Sequence, residues 1–155
     1  MLNNLNKIES FKINHTKLNE GIYISRTDGD IITYDIRTRK PNSGDYMDNE
    51  TMHSVEHIFA TLIRNSRIKN NIIYFGPMGC QTGFYLLIRN TESSKAVAVI
   101  KEVLLLITEY DGEIPGNSEY ECGNYKTLNL EKAKHECGSF YKKIEHISDV
   151  QNYPV

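Results

Sequence analysis

The stretch His53-Ser54-Val55-Glu56-His57 places two histidines four residues apart, with a glutamate directly before the second. In an α-helix, residues four apart lie on the same face, one turn from each other. Two neutral imidazoles in that arrangement can bind one divalent metal, and Glu56 projects close to the same place. The H-x-x-E-H order is a zinc-enzyme signature. The stretch therefore predicts a helix that carries part of a metal site.

The flanking residues favour the same helix. Asp48 and Asn49 are good N-cap residues, and Glu50 adds negative charge near the helix start. Apolar side chains then recur at helical spacing and form one stripe, made of Met52, Val55, Ile58, Phe59, Leu62 and Ile63. At about 100° per residue, the two histidines and Glu56 lie on a different face from this stripe. We expect the helix to end near Asn65 or Ser66.

Two histidines do not complete a metal site, because a catalytic zinc-type centre normally takes three protein ligands and leaves one position open. Spacing alone does not choose the third ligand. The candidates are several carboxylates and Cys80, Cys122, Cys137, His135, His146 and His15. Cys80 and Cys122 are favoured because glycines flank them, which indicates turns that can aim a thiol. Cys137 falls in a predicted helix, a position more typical of a buried cysteine.

Length and composition predict one domain, residues 1–155, with a substantial core: 39% of residues are hydrophobic and 25% are charged. The formal charge of −2 offers no electrostatic reason to expect nucleic acid, and no basic run or long apolar window indicates a membrane. The N-terminal residues lack the apolar stretch of a signal peptide. The three cysteines form no C-x-x-C pair. We therefore expect a protein of the reducing cytoplasm.

The remaining chain carries signals for strands and helices without regular βαβ alternation. Strands are predicted at Gly21–Arg26, Ile31–Arg37, Ile72–Phe75 and Gly83–Arg89, with turns at 28–30 and 76–80. Ser93 or Ser94 is predicted to cap a helix that runs to about Tyr110. Asn129 is predicted to cap another, from Leu130 to about Ile147. This order predicts an α+β domain with a largely antiparallel β-sheet packed with helices.

The segment from Gly76 to Gly83, Gly-Pro-Met-Gly-Cys-Gln-Thr-Gly, places glycine, proline and a thiol between two predicted strands. Its simplest interpretation is a tight connection in which Cys80 only fills space. A thiol close to a divalent cation ionises more readily, however, and Cys80 could then act as an acid or base near neutral pH. Glu56, beside the same metal, would be a second proton carrier.

These blocks together resemble S-ribosylhomocysteine lyase, the LuxS family of autoinducer-2 synthesis. The resemblance is carried, in order along nearly the whole chain, by Ser10-Phe11 with His15, Asp35-Ile36-Arg37 with Pro41-Asn42, His53–His57, Gly76–Tyr85, Glu121-Cys122-Gly123-Asn124, and Asn129-Leu130-Glu131 with Ala133-Lys134. The Pro-Met-Gly-Cys block paired with H-x-x-E-H is highly specific.

The resemblance implies that His53, His57 and Cys122 hold one divalent metal per subunit, usually Fe(II) in the cell and often zinc or cobalt in purified protein. It implies that Cys80 and Glu56 are the general acid/base pair. By the same carry-over, substrate contacts come from Ser10, His15 and Arg37.

The resemblance also implies a reaction and an assembly. S-ribosylhomocysteine would be cleaved to homocysteine and 4,5-dihydroxy-2,3-pentanedione, the autoinducer-2 precursor used in quorum sensing, by carbonyl migration and β-elimination. This reaction consumes a by-product of the methyl cycle. Members of the family are homodimers with two sites at the interface, so part of each site would come from the partner chain.

Three features depart from the commoner family pattern. Ser54-Val55 replaces Thr-Leu inside the histidine motif, at positions off the metal face. Tyr74-Phe75-Gly76 stands where many members have Asp-Ile-Ser, which removes a carboxylate on the substrate side. The connection from Asn42 to His53 is one residue longer than in relatives.

Two other functions fit parts of the pattern. In a hydrolase of the inverzincin type, Glu56 would activate water at the metal, but such enzymes recruit a carboxylate as third ligand and are much larger chains. A metal-binding protein without catalysis would have a closed site of four ligands. That function would leave Cys80 and Glu56 without a role.

Overall fold

Residues 3–155, which the computed structural model describes, form an antiparallel sheet and three α-helices. The strands are β1 (Gly21–Asp28), β2 (Ile31–Arg37), β3 (Ile72–Pro77) and β4 (Gly83–Arg89), and the helices are α1 (Asn49–Ile63), α2 (Ser93–Glu109) and α3 (Leu130–Ile144). The α+β class predicted from the sequence is confirmed. None of the helices in this part of the chain is both long and apolar enough to cross a bilayer.

The sheet has the strand order β1-β2-β4-β3, and each neighbouring pair is antiparallel. Side chains along a strand alternate between the two faces of a sheet. On β2, Tyr34 and Ile36 therefore join the hydrophobic core, while Asp35 and Arg37 project from the opposite face. Arg37 pairs with Gly83 at the start of β4, next to the turn that carries Cys80.

Helix α1 lies between β3 and the other two helices, and its apolar stripe forms the centre of the core. Phe59 of α1 stacks on Phe75, which in turn stacks on Phe84, with ring centroids 4.3 Å and 5.0 Å apart. Burying one face of α1 leaves its other face partly exposed. His53, Glu56 and His57 lie on that partly exposed face.

Two helix caps agree with the sequence prediction. The Asp48 side chain accepts a hydrogen bond of 2.8 Å from the backbone N–H of Thr51, which closes the first turn of α1. The Asn129 side chain accepts one of 3.2 Å from Lys132 at the start of α3. These caps fix where the helices next to the site begin.

Other element ends differ from the prediction. Neither Ser93 nor Ser94 caps α2, because the N-cap position is occupied by Glu92. The Ser93 hydroxyl instead donates a hydrogen bond of 2.6 Å to the Asp149 carboxylate. Gly76 and Pro77, predicted as a turn, belong to β3 because they pair with β4. Helices α1 and α3 end at Ile63 and Ile144, earlier than predicted.

Candidate active site

Three side chains converge at the exposed face of α1. The ligand atoms of His53, His57 and Cys122 all lie within 4.8 Å of one another. The two imidazole rings meet edge to face, with centroids 4.6 Å apart. Cys122, from the segment between α2 and α3, brings its Sγ to 3.4 Å from His53 Nε2. Two imidazole nitrogens and one thiol fit a single metal ion with an open coordination position.

Hydrogen bonds on the far side of each ring set its orientation. The carbonyl of Pro115 can only accept, so His57 Nδ1 donates to it across 2.8 Å. The Thr127 hydroxyl donates to the carbonyl of Asn124 at 3.1 Å and accepts from His53 Nδ1 at 2.6 Å. These partners favour the tautomer with the proton on Nδ1 in both histidines. Each Nε2 lone pair is left free to bind a metal.

The local environment keeps the site ready for a cation. Burial, together with the neighbouring His57, lowers the pKa of His53, so that its imidazole is neutral at neutral pH, as a ligand must be. Gly116 lies directly against the His57 ring: its φ is +79°, and an added Cβ would lie 2.8 Å from His57 Nδ1. Glycine is required there for both reasons.

Sequence reasoning missed Thr127, Pro115 and Gly116. Pro115 and Gly116 are residues typical of a chain break after a helix, and nothing in local spacing connects Pro115 with a histidine 58 residues earlier in the chain. Of the alternative third ligands, Cys137 is buried in α3, where burial raises the pKa of its thiol. Within residues 3–155, neither His135 nor His146 belongs to the group of ligand atoms that converges with His53 and His57.

A second cluster surrounds Cys80 in a cleft of about 550 Å³. The cleft is also lined by the three predicted substrate contacts, Ser10, His15 and Arg37. Cys80 is exposed in the turn between β3 and β4, and its Sγ lies 3.0 Å from Thr82 Oγ1. Arg37 Nη1 lies 3.8 Å from the same sulfur and donates to Thr82 Oγ1 at 2.8 Å. The thiol therefore faces a fixed cation.

Arg37 is buried below the cleft and paired with Asp35. Its Nη2 and Nε donate to the two carboxylate oxygens at 2.7 Å and 3.1 Å. Burial alone would lower the pKa of Arg37, but the Asp35 carboxylate outweighs burial and raises it. The guanidinium consequently stays charged, and its remaining nitrogen is directed at Thr82 and Cys80.

Within one chain, Glu56 lies in a different groove from Cys80. Glu56 and His57 line a groove of about 410 Å³ with Tyr74, Phe75 and other residues, none of which lines the Cys80 cleft. The phenol of Tyr74, which is 54% exposed, lies over Gly76 in the space that a Cβ there would need. Within one chain these two grooves are therefore separate. We call the groove with Glu56 and His57 the metal half of the site and the cleft with Cys80 the thiol half.

Comparison with known proteins gives one consistent result. The family model described as S-ribosylhomocysteinase (LuxS) matches residues 8–151. The chain is 47% identical over 148 residues to S-ribosylhomocysteine lyase of Finegoldia magna, which covers 92% of this chain and 94% of that protein. It is 45% identical over 151 residues to the enzyme of the same name from Borreliella afzelii, covering 94% and 96% of the two chains. It is 42% identical over 146 residues to S-ribosylhomocysteine lyase of Desulfotalea psychrophila, covering 90% of this chain and 92% of that protein.

Proposed function

The chain belongs to the S-ribosylhomocysteinase (LuxS) family, and from this premise we propose that it is a metal-dependent carbon–sulfur lyase acting on S-ribosylhomocysteine. The products are homocysteine and 4,5-dihydroxy-2,3-pentanedione. The observation that carries the proposal is the convergence of His53, His57 and Cys122, with both Nε2 lone pairs free, in a chain that also presents Cys80 beside Arg37. The lyase domain spans residues 1–155.

His53, His57 and Cys122 hold one divalent metal per subunit. Two imidazoles and a thiolate suit Fe(II), zinc and cobalt, whereas magnesium and calcium prefer oxygen ligands. We expect Fe(II) in the cell and zinc or cobalt after purification. When bound, the cation supplies Lewis-acid polarisation of the sugar carbonyl, which makes the neighbouring C–H acidic.

Cys80 and Glu56 move the protons. An unactivated carbon–sulfur bond does not break readily, but it can be eliminated once a carbonyl stands two carbons away from the carbon that bears sulfur. As a base, Cys80 removes a proton next to the carbonyl and returns one to the adjacent carbon, so that the carbonyl moves along the chain by an enediolate step. Glu56 then serves the later steps, and the last proton removal expels homocysteine as the leaving thiol.

The cleft residues bind and orient the substrate. Arg37 contributes a permanent cation, and Ser10 and His15 contribute polar groups to the lining of the cleft around Cys80. Such a lining suits a hydroxylated, open sugar chain. The Asp35 pair holds the guanidinium rigidly, which limits the entropy lost when substrate binds.

We propose a homodimer with its two sites at the interface. Cys80 and Glu56 must act on one substrate, yet within one chain they line separate grooves. Pairing the thiol half of one subunit with the metal half of its partner would bring them together. The product is the autoinducer-2 precursor, available for quorum sensing or methyl-cycle recycling. The three free thiols fit the reducing cytoplasm.

A hydrolase of the inverzincin type is not favoured. The donor that completes the site with the two histidines is the Cys122 thiol and not a carboxylate. Cys80 beside Arg37 would also have no role in activating water.

A thiol-release assay tests the lyase. Metal-loaded protein, prepared anaerobically, is given S-ribosylhomocysteine, and free homocysteine is detected with a thiol-reactive dye. Cys80→Ala should abolish release while metal stays bound, and Cys122→Ala should lose the metal. Cys137→Ala is the matched control, because Cys137 is buried in α3 and should keep both properties. Absence of release by the unaltered protein would sink the proposal, and full activity of Cys80→Ala would remove its acid/base role.

A further inference from the structure

We propose that Tyr153 is a positioning residue for Cys80, acting through Asp35 and Arg37. The inference rests on the proposed role of Cys80 in the lyase reaction, and it extends that site to a residue far from it in sequence. Tyr153 does not touch the thiol itself. It is connected to the thiol by a continuous series of polar contacts across β2.

The contacts from Tyr153 to Thr82 are short, the contact with the Cys80 sulfur is longer, and the middle of the series is buried. The Tyr153 hydroxyl donates to Asp35 Oδ2 at 2.8 Å, and Asp35 holds Arg37 through both carboxylate oxygens. Arg37 then donates from Nη1 to Thr82 at 2.8 Å and lies 3.8 Å from Cys80 Sγ. Asp35 and Arg37 are 1% and 2% exposed, so water does not screen the interaction between them.

The segment that carries Tyr153 is fixed at two further points. Backbone and side chain of Gln151 both bond to Ile22 of β1, at 2.8 Å and 3.1 Å. The Tyr153 ring stacks on Tyr23 of the same strand, with centroids 4.8 Å apart and planes 8° from parallel. The phenol is therefore held in place against Asp35 by contacts that do not involve its hydroxyl.

The hydroxyl affects how much of the Arg37 charge reaches the thiol. Burial and the Asp35 carboxylate raise the pKa of Tyr153, so the phenol remains a hydrogen-bond donor throughout the neutral range. Its bond takes part of the acceptor strength of Asp35. Without that bond, the full acceptor strength of Asp35 falls on Arg37 and offsets more of the guanidinium charge. The positive field that favours the Cys80 thiolate then weakens.

Other ionisable groups face these residues and stay unchanged in the test. His15, Tyr46 and Tyr85 line the cleft with Cys80 and Arg37. On the other side, Arg37 faces Asp35, and Tyr23 lies near both of these residues, so the control variant also tests the Tyr23 hydroxyl. Replacing the hydroxyl of Tyr153 alone therefore isolates its contribution.

The experiment compares Tyr153→Phe with Tyr23→Phe in the metal-loaded protein. Both variants keep the stacked rings, but Tyr23→Phe removes only a bond to the carbonyl of Asn19. Alkylation of Cys80 is followed by peptide mass spectrometry across a pH series. In Tyr153→Phe we expect the half-reaction pH to rise by about 0.5 and kcat/KM at neutral pH to fall about threefold. Tyr23→Phe should leave the alkylation profile unchanged.

Superimposable alkylation profiles for Tyr153→Phe and the unaltered protein would overturn the inference. So would a Tyr153→Phe protein that only unfolds at lower urea concentration, because that result marks a structural role. Alkylation needs no turnover, so the two proposals can fail separately. A shifted profile in a protein that releases no thiol from S-ribosylhomocysteine would reject the lyase and support the positioning role.

Discussion

At the scale of single residues, the proposed metal ligands are oriented by neighbours outside the set of three donors. His53 is oriented by the Thr127 hydroxyl, and His57 by the carbonyl of Pro115. Such partners fix the ring and raise the basicity of the ligating nitrogen. The Thr127 contact comes from a side chain, and valine replaces its hydroxyl by a methyl group of similar size. The Pro115 contact comes from a backbone carbonyl, so Thr127 is the easier of the two to test by mutation.

Thr127→Val should weaken metal binding by about 10- to 100-fold, because His53 Nδ1 loses its acceptor and the ring can turn. Competition with a chromophoric chelator measures the affinity. Thr108→Val is the control: its hydroxyl bonds only the carbonyl of Leu105 within α2. Equal metal retention by the two variants would show that Thr127 does not orient the ring.

At the scale of elements, α1 is anchored by the charge at its first turn. Asp48 caps the helix by accepting a hydrogen bond from the backbone N–H of Thr51. It also accepts a hydrogen bond of 2.7 Å from Lys132 Nζ of α3. Hydrogen bonds from Lys132 and then from Thr51 lower the pKa of Asp48 from 3.8 to about 2. A carboxylate with a lowered pKa stabilises the folded state above its unfolded pKa, and the contribution disappears as pH falls through the folded value.

Asp48→Ala should therefore reduce the free energy of unfolding by ~1 kcal/mol at pH 7, mostly through loss of the cap, since the exposed ion pair is screened. The difference from the unaltered protein should shrink between about pH 4 and pH 2. Urea unfolding at several pH values measures it. Asp28→Ala, which removes an exposed pair with Arg26 and no cap, should have a smaller effect. A pH-independent difference would contradict this account.

The loop before α1 is tied to α3 by an ion pair whose carboxylate is buried and whose guanidinium is partly exposed. Arg39 donates to Glu136 from Nη2 at 2.7 Å and from Nε at 3.0 Å, and Glu136 is buried. Arg39→Ala should cost about 3 kcal/mol in urea unfolding, because it leaves a buried carboxylate without its partner. Arg67→Ala breaks the exposed pair with Glu102 and should cost far less. Equal losses would mean that burial of Glu136 does not matter.

The sequence predicted those parts of the fold and site that depend on local spacing. The apolar period and the Asp48 cap define α1, so residue spacing alone was enough to place the two histidines on one face of the helix. Thr127 and Pro115 could not be found, because each meets its histidine across 74 or 58 residues of intervening chain. Ser93 failed as a cap for a similar reason: its hydroxyl bonds Asp149, 56 residues away.

At the scale of the whole molecule, the proposed dimer predicts complementation between inactive subunits. Mixing Cys80→Ala with His57→Ala by co-refolding should restore about a quarter of the unaltered activity. About half of the dimers are then mixed, and each of these has one intact site of two. Thiol release measures the recovery. Mixing Cys80→Ala with Cys80→Ser should restore none, since both changes affect the same half. No recovery in the first mixture would reject sites shared between subunits.

The contact of Tyr74 with Gly76 links the residue at 76 to the shape of the neighbouring groove. A Cβ at 76 would occupy the space that the Tyr74 phenol fills. Because the phenol ends a flexible side chain that is largely exposed, a larger residue at 76 would turn it away from β3. Tyr74 lines the groove that holds Glu56 and His57, so the absence of a side chain at 76 lets the tyrosine form part of that groove's wall.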